Sequence, residues 1–219
     1  MPMHDVGPEG PKVKYLIGKS AATSAAIAGF IATMIATVSG LWFPGAKLPQ
    51  FDFNTLNGYL ALGLAYGFAN PTQNFIIGGF IHMVDGVIWA LIFGLIIHPV
   101  LGVLKPLRPM TPTVNVMKGL IWGLALWIIS SALWMPLLIG TILGPALTGA
   151  PPAGFGLPCG VGAFLTCFGP YGVQAVFTNL FWHMIWGVNL GLLFNPMSAS
   201  GRGTMASGAE TTASAAGTR

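Results

Sequence analysis

The chain has 219 residues, of which 54% are hydrophobic and only 6% charged, and its formal net charge is +4. So little charge cannot coat a water-soluble domain. The nine Lys and Arg stand beside apolar runs rather than in a basic stripe, which excludes a nucleic-acid surface and leaves an integral membrane protein whose basic residues act as topology signals.

Residues 1–14 hold Pro2, Gly7, Pro8, Gly10 and Pro11 and read as irregular, within a segment 1–19 that places Lys12, Lys14 and Lys19 ahead of the first apolar run. Four spans follow: Ser20 to Phe43, Phe75 to Ile97, Gly119 to Ile139 and Val176 to Phe194. Each has roughly 19 to 24 residues, enough to cross a hydrocarbon core of ~30 Å at 1.5 Å per residue. The first is longer than a signal-peptide core and is read as a retained helix. A fifth run, Thr55 to Ala69, is shorter and carries Asn57, Gly58, Gly63 and Gly67, and reads as an interfacial or re-entrant helix.

With four spans, the lysines before the first share a side with Lys105, Arg108 and Lys118 and with Arg202, whereas a fifth span would put them on opposite faces. The positive-inside rule therefore predicts both termini in the cytoplasm, in the inner (cytoplasmic) membrane. Past Pro196 the residues 197–219 are Ser, Gly, Ala and Thr rich and predict a disordered tail.

The chain also repeats itself. Ser39, Gly40, Leu41, Trp42, Phe43 and Pro44 return as Ser131, Ala132, Leu133, Trp134, Met135 and Pro136. His82, Met83, Gly86 and Val87 return as His183, Met184, Gly187 and Val188. The expected fold is thus all-α, one membrane domain (20–196) of two parallel helical-hairpin repeats, 22–99 and 116–196, related by an axis along the membrane normal. Each Trp-Pro pair reads as an interface anchor followed by a helix stop.

Candidate chemistry is sparse. His82 and His183 occupy equivalent positions about two turns into the membrane, where they would ligate a haem b iron, contribute to a metal or proton site, or hydrogen-bond within the bundle. Gly86 and Gly187 on the same faces give room for a macrocycle edge or a neighbouring helix. Asp85 is the one acid inside a span, one turn from His82, and its cost in lipid predicts that it faces protein, with Asn189, Thr33, Thr37, Ser130 and Ser131 as available partners. His98 reads as a helix cap before Pro99. Cys159 and Cys167 sit in a Gly-rich outer loop, about 140–172, and read as a disulfide. No nucleotide-binding loop, nucleophile elbow or zinc-protease motif occurs, and the metal content is left open.

Lys118, Gly119 and Leu120, leading through Leu126 and Trp127 to Trp134, Met135 and Pro136, and then His183, Gly187 and Gly191, resemble a family of small uncharacterised four-helix membrane proteins of bacteria and archaea. The likeness covers about residues 22–196. It implies fold and location and assigns no catalytic residue; Asp85 and the cysteine loop depart from the family pattern. Small residues such as Gly29, Gly40, Gly79, Gly86 and Gly94 exceed what one chain is expected to use. The expected function is therefore a non-catalytic accessory subunit of a larger membrane complex, such as a membrane oxidoreductase, or a homo-oligomer in the bilayer. The alternatives are a haem-binding subunit and a small-solute or proton transporter or channel.

Overall fold

The computed structural model describes residues 13–48, 52–134 and 172–198. Four helices are long and apolar enough to cross a membrane: α1 (Ala21–Gly40), α4 (Pro71–Leu101), α5 (Pro112–Ile129) and α6 (Gly172–Leu193). Two short helices, α2 (Phe53–Leu62) and α3 (Leu64–Ala69), lie between α1 and α4.

Local chemistry sets the boundaries. Ser20 and Thr23 form a reciprocal capping box at the start of α1. Thr111 caps α5, whose first residue is Pro112, a position where the missing N–H costs nothing. The short run that reads as one helix, Thr55 to Ala69, is two, because Gly63 adopts φ +80° between α2 and α3. A π turn, Phe93–Ile97, precedes Pro99 in α4 and lets the helix continue past a residue with no N–H to donate. A second, Ser130–Trp134, extends α5.

With 31 residues, α4 is about 46 Å long, well beyond the thickness of a bilayer core. Its surplus turns are covered by α2, which runs antiparallel to it. Asn54 of α2 lies against Gly78 and Gly79, and Gly58 lies against Asn74, whose amide donates to the Thr55 carbonyl at 3.0 Å.

Lipid offers no hydrophobic drive between helices, so close packing has to do the work. The inner face of α1 is a row of fully buried alanines, Ala25, Ala28, Ala32 and Ala36, and it receives α4 on one side and α6 on the other. At Gly86 a Cβ atom would fall on the Thr33 hydroxyl of α1; at Gly29 it would fall on Ala90 of α4. Between α5 and α6 the backbones touch: a Cβ on Gly119 would land on the Gly187 carbonyl, and one on Gly187 would land on the Gly119 carbonyl. The small residues expected to be left over for a partner are used here. Gly29, Gly40, Gly86 and Gly94 are buried within the chain and Gly79 is half-buried beside Asn54. What stays exposed on the spans is bulky, including Phe30, Phe75, Ile76, Phe80, Ile88, Phe177 and Phe181.

One element has no counterpart in the helical pattern. Val13–Tyr15 (β1), expected to be irregular at 13–14, pairs antiparallel with Pro196–Ser198 (β2), with Lys14 opposite Met197. The chain therefore enters α1 and leaves α6 at the same end of the bundle. The outer-loop cysteines Cys159 and Cys167, and the tail beyond 198, lie outside the described residues.

The Gly119–Gly187 contact yields a direct test. Gly187→Ala places a methyl group against backbone that cannot yield, and we expect a loss of about 1–3 kcal/mol in stability, measured by denaturant or thermal unfolding in mild detergent. Gly45→Ala, where nothing lies within 4 Å, is the neutral control; equal behaviour of the two variants would refute the contact.

Candidate functional site

The four spans do not pack evenly. Helix α1 contacts α4 and α6 along its length, and α6 contacts α5, but α4 and α5 meet only sparingly. They join mainly near the π turn of α4 and where the Trp122 indole donates to the Trp89 carbonyl at 3.2 Å. Where they part, a cleft of about 140 Å³ opens, walled by α4, α5 and α6 and roofed by Phe53 and Asn57 of α2. His82, Asp85, His183, Trp89, Trp182, Trp186 and Ser130 all line it. Its size is about that of a cavity that holds one benzene.

His82, Asp85 and His183, singled out from the sequence, thus share one site. His82 is buried, its ring stacked on Phe53 at 5.4 Å, and its Nε2 lies 3.2 Å from the Thr37 hydroxyl. That hydroxyl already donates its proton to the Thr33 carbonyl at 2.7 Å. It can only accept from His82, so Nε2 carries the proton and Nδ1 keeps the lone pair. His183 is assigned the opposite way: its Nδ1 lies 2.8 Å from the Asn179 carbonyl, an acceptor, so Nδ1 is protonated and Nε2 bears the lone pair. The two imidazoles occupy corresponding places in their helices but have different partners. The Trp182 ring packs against both, at 5.4 Å from each.

Asp85 lies one turn beyond His82 and lines the cleft, but it is exposed at the mouth rather than enclosed by the bundle. The Trp89 side chain, one turn further on, interacts with its carboxylate. Asn189 is not part of the site: its amide is turned back on its own helix, donating to the Ile185 carbonyl at 2.8 Å. The hydroxyls of Ser130 and Ser131 instead take Asn179, at 3.2 and 2.8 Å, tying α6 to the π turn of α5.

These distances bear on the haem and metal readings. A porphyrin is several times larger than the cleft, and the Trp182 ring packs against both imidazoles. Among the described residues no group of three or more His, Cys, Asp or Glu is placed to hold a metal ion.

The sequence reading missed the residues that give the site its shape. Phe53 and Trp182 have no motif, and Thr37 reads only as one of several polar candidates. Two further assignments change at the other end of the bundle. His98, read as a helix cap, is buried, with Nε2 3.0 Å from the Asn115 Oδ1, and Asn115 in turn donates to Asn195 at 2.7 Å. Lys118, expected among the basic residues of the connecting loop, is 2% exposed, its Nζ 3.4 Å from His98 Nε2. It starts too far inside α5 to reach the surface that Lys105 and Arg108 occupy.

The opposite tautomers are measurable. In ¹⁵N-histidine-labelled protein we expect His82 to show an Nε2–H signature and His183 the less common Nδ1–H signature, assigned by single His→Gln variants. The same tautomer at both positions would contradict the hydrogen-bond assignment. A second expectation concerns Thr33, whose hydroxyl accepts from the buried Trp186 N–H at 2.9 Å: Thr33→Val should cost about 1–3 kcal/mol by stranding that donor, read from unfolding curves.

No family model, curated protein or solved structure matches the chain.

Proposed function

We propose that this chain is a membrane-embedded solute-binding protein of the transporter or channel class, and that the cleft between α4, α5 and α6 is where the solute is held. The observation that carries the reading is the placement of Asp85, His82 and His183 around one small, open-mouthed cavity part-way along spanning helices. Ionisable groups at that depth are costly, and facing a cavity is their usual functional arrangement. Close backbone packing elsewhere in the bundle makes the parting of α4 and α5 a local feature rather than general looseness.

The finer architecture belongs to the same proposal. The chain is two fused helical hairpins, α1 with α4 and α5 with α6. On that reading the α1–α6 contact corresponds to an α5–α4 contact, and the cleft lies where the second departs from the first. Both termini and the α4–α5 connection face the cytoplasm, in the inner membrane, and assembly with other subunits would use the bulky outer faces rather than the glycines.

Two experiments test this. Cysteines placed singly at Met3, Arg108 and Met205, in a Cys159→Ser/Cys167→Ser background, should all be labelled from the same side of sealed vesicles; opposite labelling at Met3 and Arg108 would overturn the topology. For binding, small polar solutes up to about the size of benzene should raise the melting temperature of the purified protein. Ile129→Trp, which plugs the mouth of the cleft, should abolish the shift. If no solute in such a panel shifts the wild-type melting temperature, the binding reading fails.

A further inference from the structure

We infer that the solute is a small protonated amine, a conclusion that rests on the binding reading above and adds its chemical class. The inference comes from what the cleft offers to a ligand. Its strongest polar groups are all acceptors. Asp85 contributes a carboxylate, His82 an Nδ1 lone pair and His183 an Nε2 lone pair, the last two fixed by bonds that use up the opposite ring N–H.

The donors nearby are largely committed elsewhere. The Trp186 indole N–H goes to Thr33 at 2.9 Å, and the Trp89 side chain is engaged with Asp85 itself. What remains is neutral: the Asn57 amide, the Ser130 hydroxyl and the Trp182 indole N–H, the last lying towards Gly40 of α1. Among the described residues, no Lys or Arg lines the cavity. Asp52, which caps α2 through the Thr55 N–H at 3.0 Å, is close enough to act electrostatically on His82 and adds a second negative charge on the α2 side. An anion entering this cleft meets like charge with no cationic counterpart, and a neutral acceptor meets lone pairs.

A cation that is also a hydrogen-bond donor satisfies every feature at once. An ammonium head can donate to the carboxylate and to an imidazole lone pair on either wall of the cleft. The aromatic side chains of Trp89, Trp182 and Trp186 that line the cleft supply cation–π attraction. The volume, about 140 Å³, limits the organic part to a few carbons.

Purified full-length protein would be titrated calorimetrically with methylammonium and propylammonium, with 1-propanol as the neutral isostere, propionate as the anion and tetramethylammonium as a cation that donates no hydrogen bond. We expect propylammonium to bind at least about tenfold more tightly than 1-propanol or propionate, and tetramethylammonium to fall between. Asp85→Asn should cut amine affinity by about tenfold while Asp85→Glu retains most of it, melting curves establishing that both variants are folded. Binding of 1-propanol or propionate as tightly as propylammonium would overturn the amine assignment while leaving the cleft as a binding site. No binding by any of the five probes, together with a failed solute panel, would overturn both.

Discussion

One buried hydroxyl holds the bundle's arrangement. Thr33 Oγ1 donates to the Gly29 carbonyl of its own helix at 2.8 Å and accepts from the Trp186 indole at 2.9 Å. The same side chain fills the space that a Cβ on Gly86 would take. It therefore fixes α1 against both α4 and α6 through a single fully buried side chain. In an apolar medium an unmet indole N–H is expensive, and this bond leaves Trp186 one orientation. The Trp186 face walls the cleft, so the geometry of the cleft descends from a contact outside it.

The same logic explains why the cleft is where it is. Backbone-to-backbone contact through Gly119 and Gly187 commits α5 to α6, and the alanine row commits α1 to α4 and α6. Helix α4 then has α1 and α2 as neighbours, and α5 reaches it through Trp122 and, at the far end, through the π turn and His98. Large side chains, Trp89 and Trp122 with rings 6.1 Å apart, hold the two helices at a distance that small residues would have closed. Polar side chains gather in that gap, which close backbone contact does not seal.

The spanning helices were legible because length and apolarity report directly on the bilayer, and the histidine pair stood out by its repetition. Asp85 was legible as an anomaly: an acid in an apolar run demands a reason. What could not be read was the pairing. Thr37 and His82 are 45 residues apart, Asn115 and Asn195 are 80 apart, and Trp186 and Thr33 are 153 apart. A polar residue in a helix has the same local appearance whether it bonds its own turn, as Asn189 does, or a distant helix, as Asn179 does. Lys118 misled for a related reason. Near a helix start a lysine reads as a headgroup contact, and only the fold reveals that the α4 end, with His98, closes over it.

The strand pair at the base of the bundle has a consequence for how the chain is made. Tyr15 is among the first described residues to leave the ribosome and its partner Pro196 among the last. The clasp they form cannot close until α6 is complete, so α1 must wait with Thr33 lacking its tryptophan. During that interval α1 lacks its α6 neighbour, and its alanine row is covered on one side only. Biogenesis thus passes through a stage whose weakest point is the very helix that later organises everything else, and variants that weaken the clasp will be felt as lost yield before they are felt as lost stability.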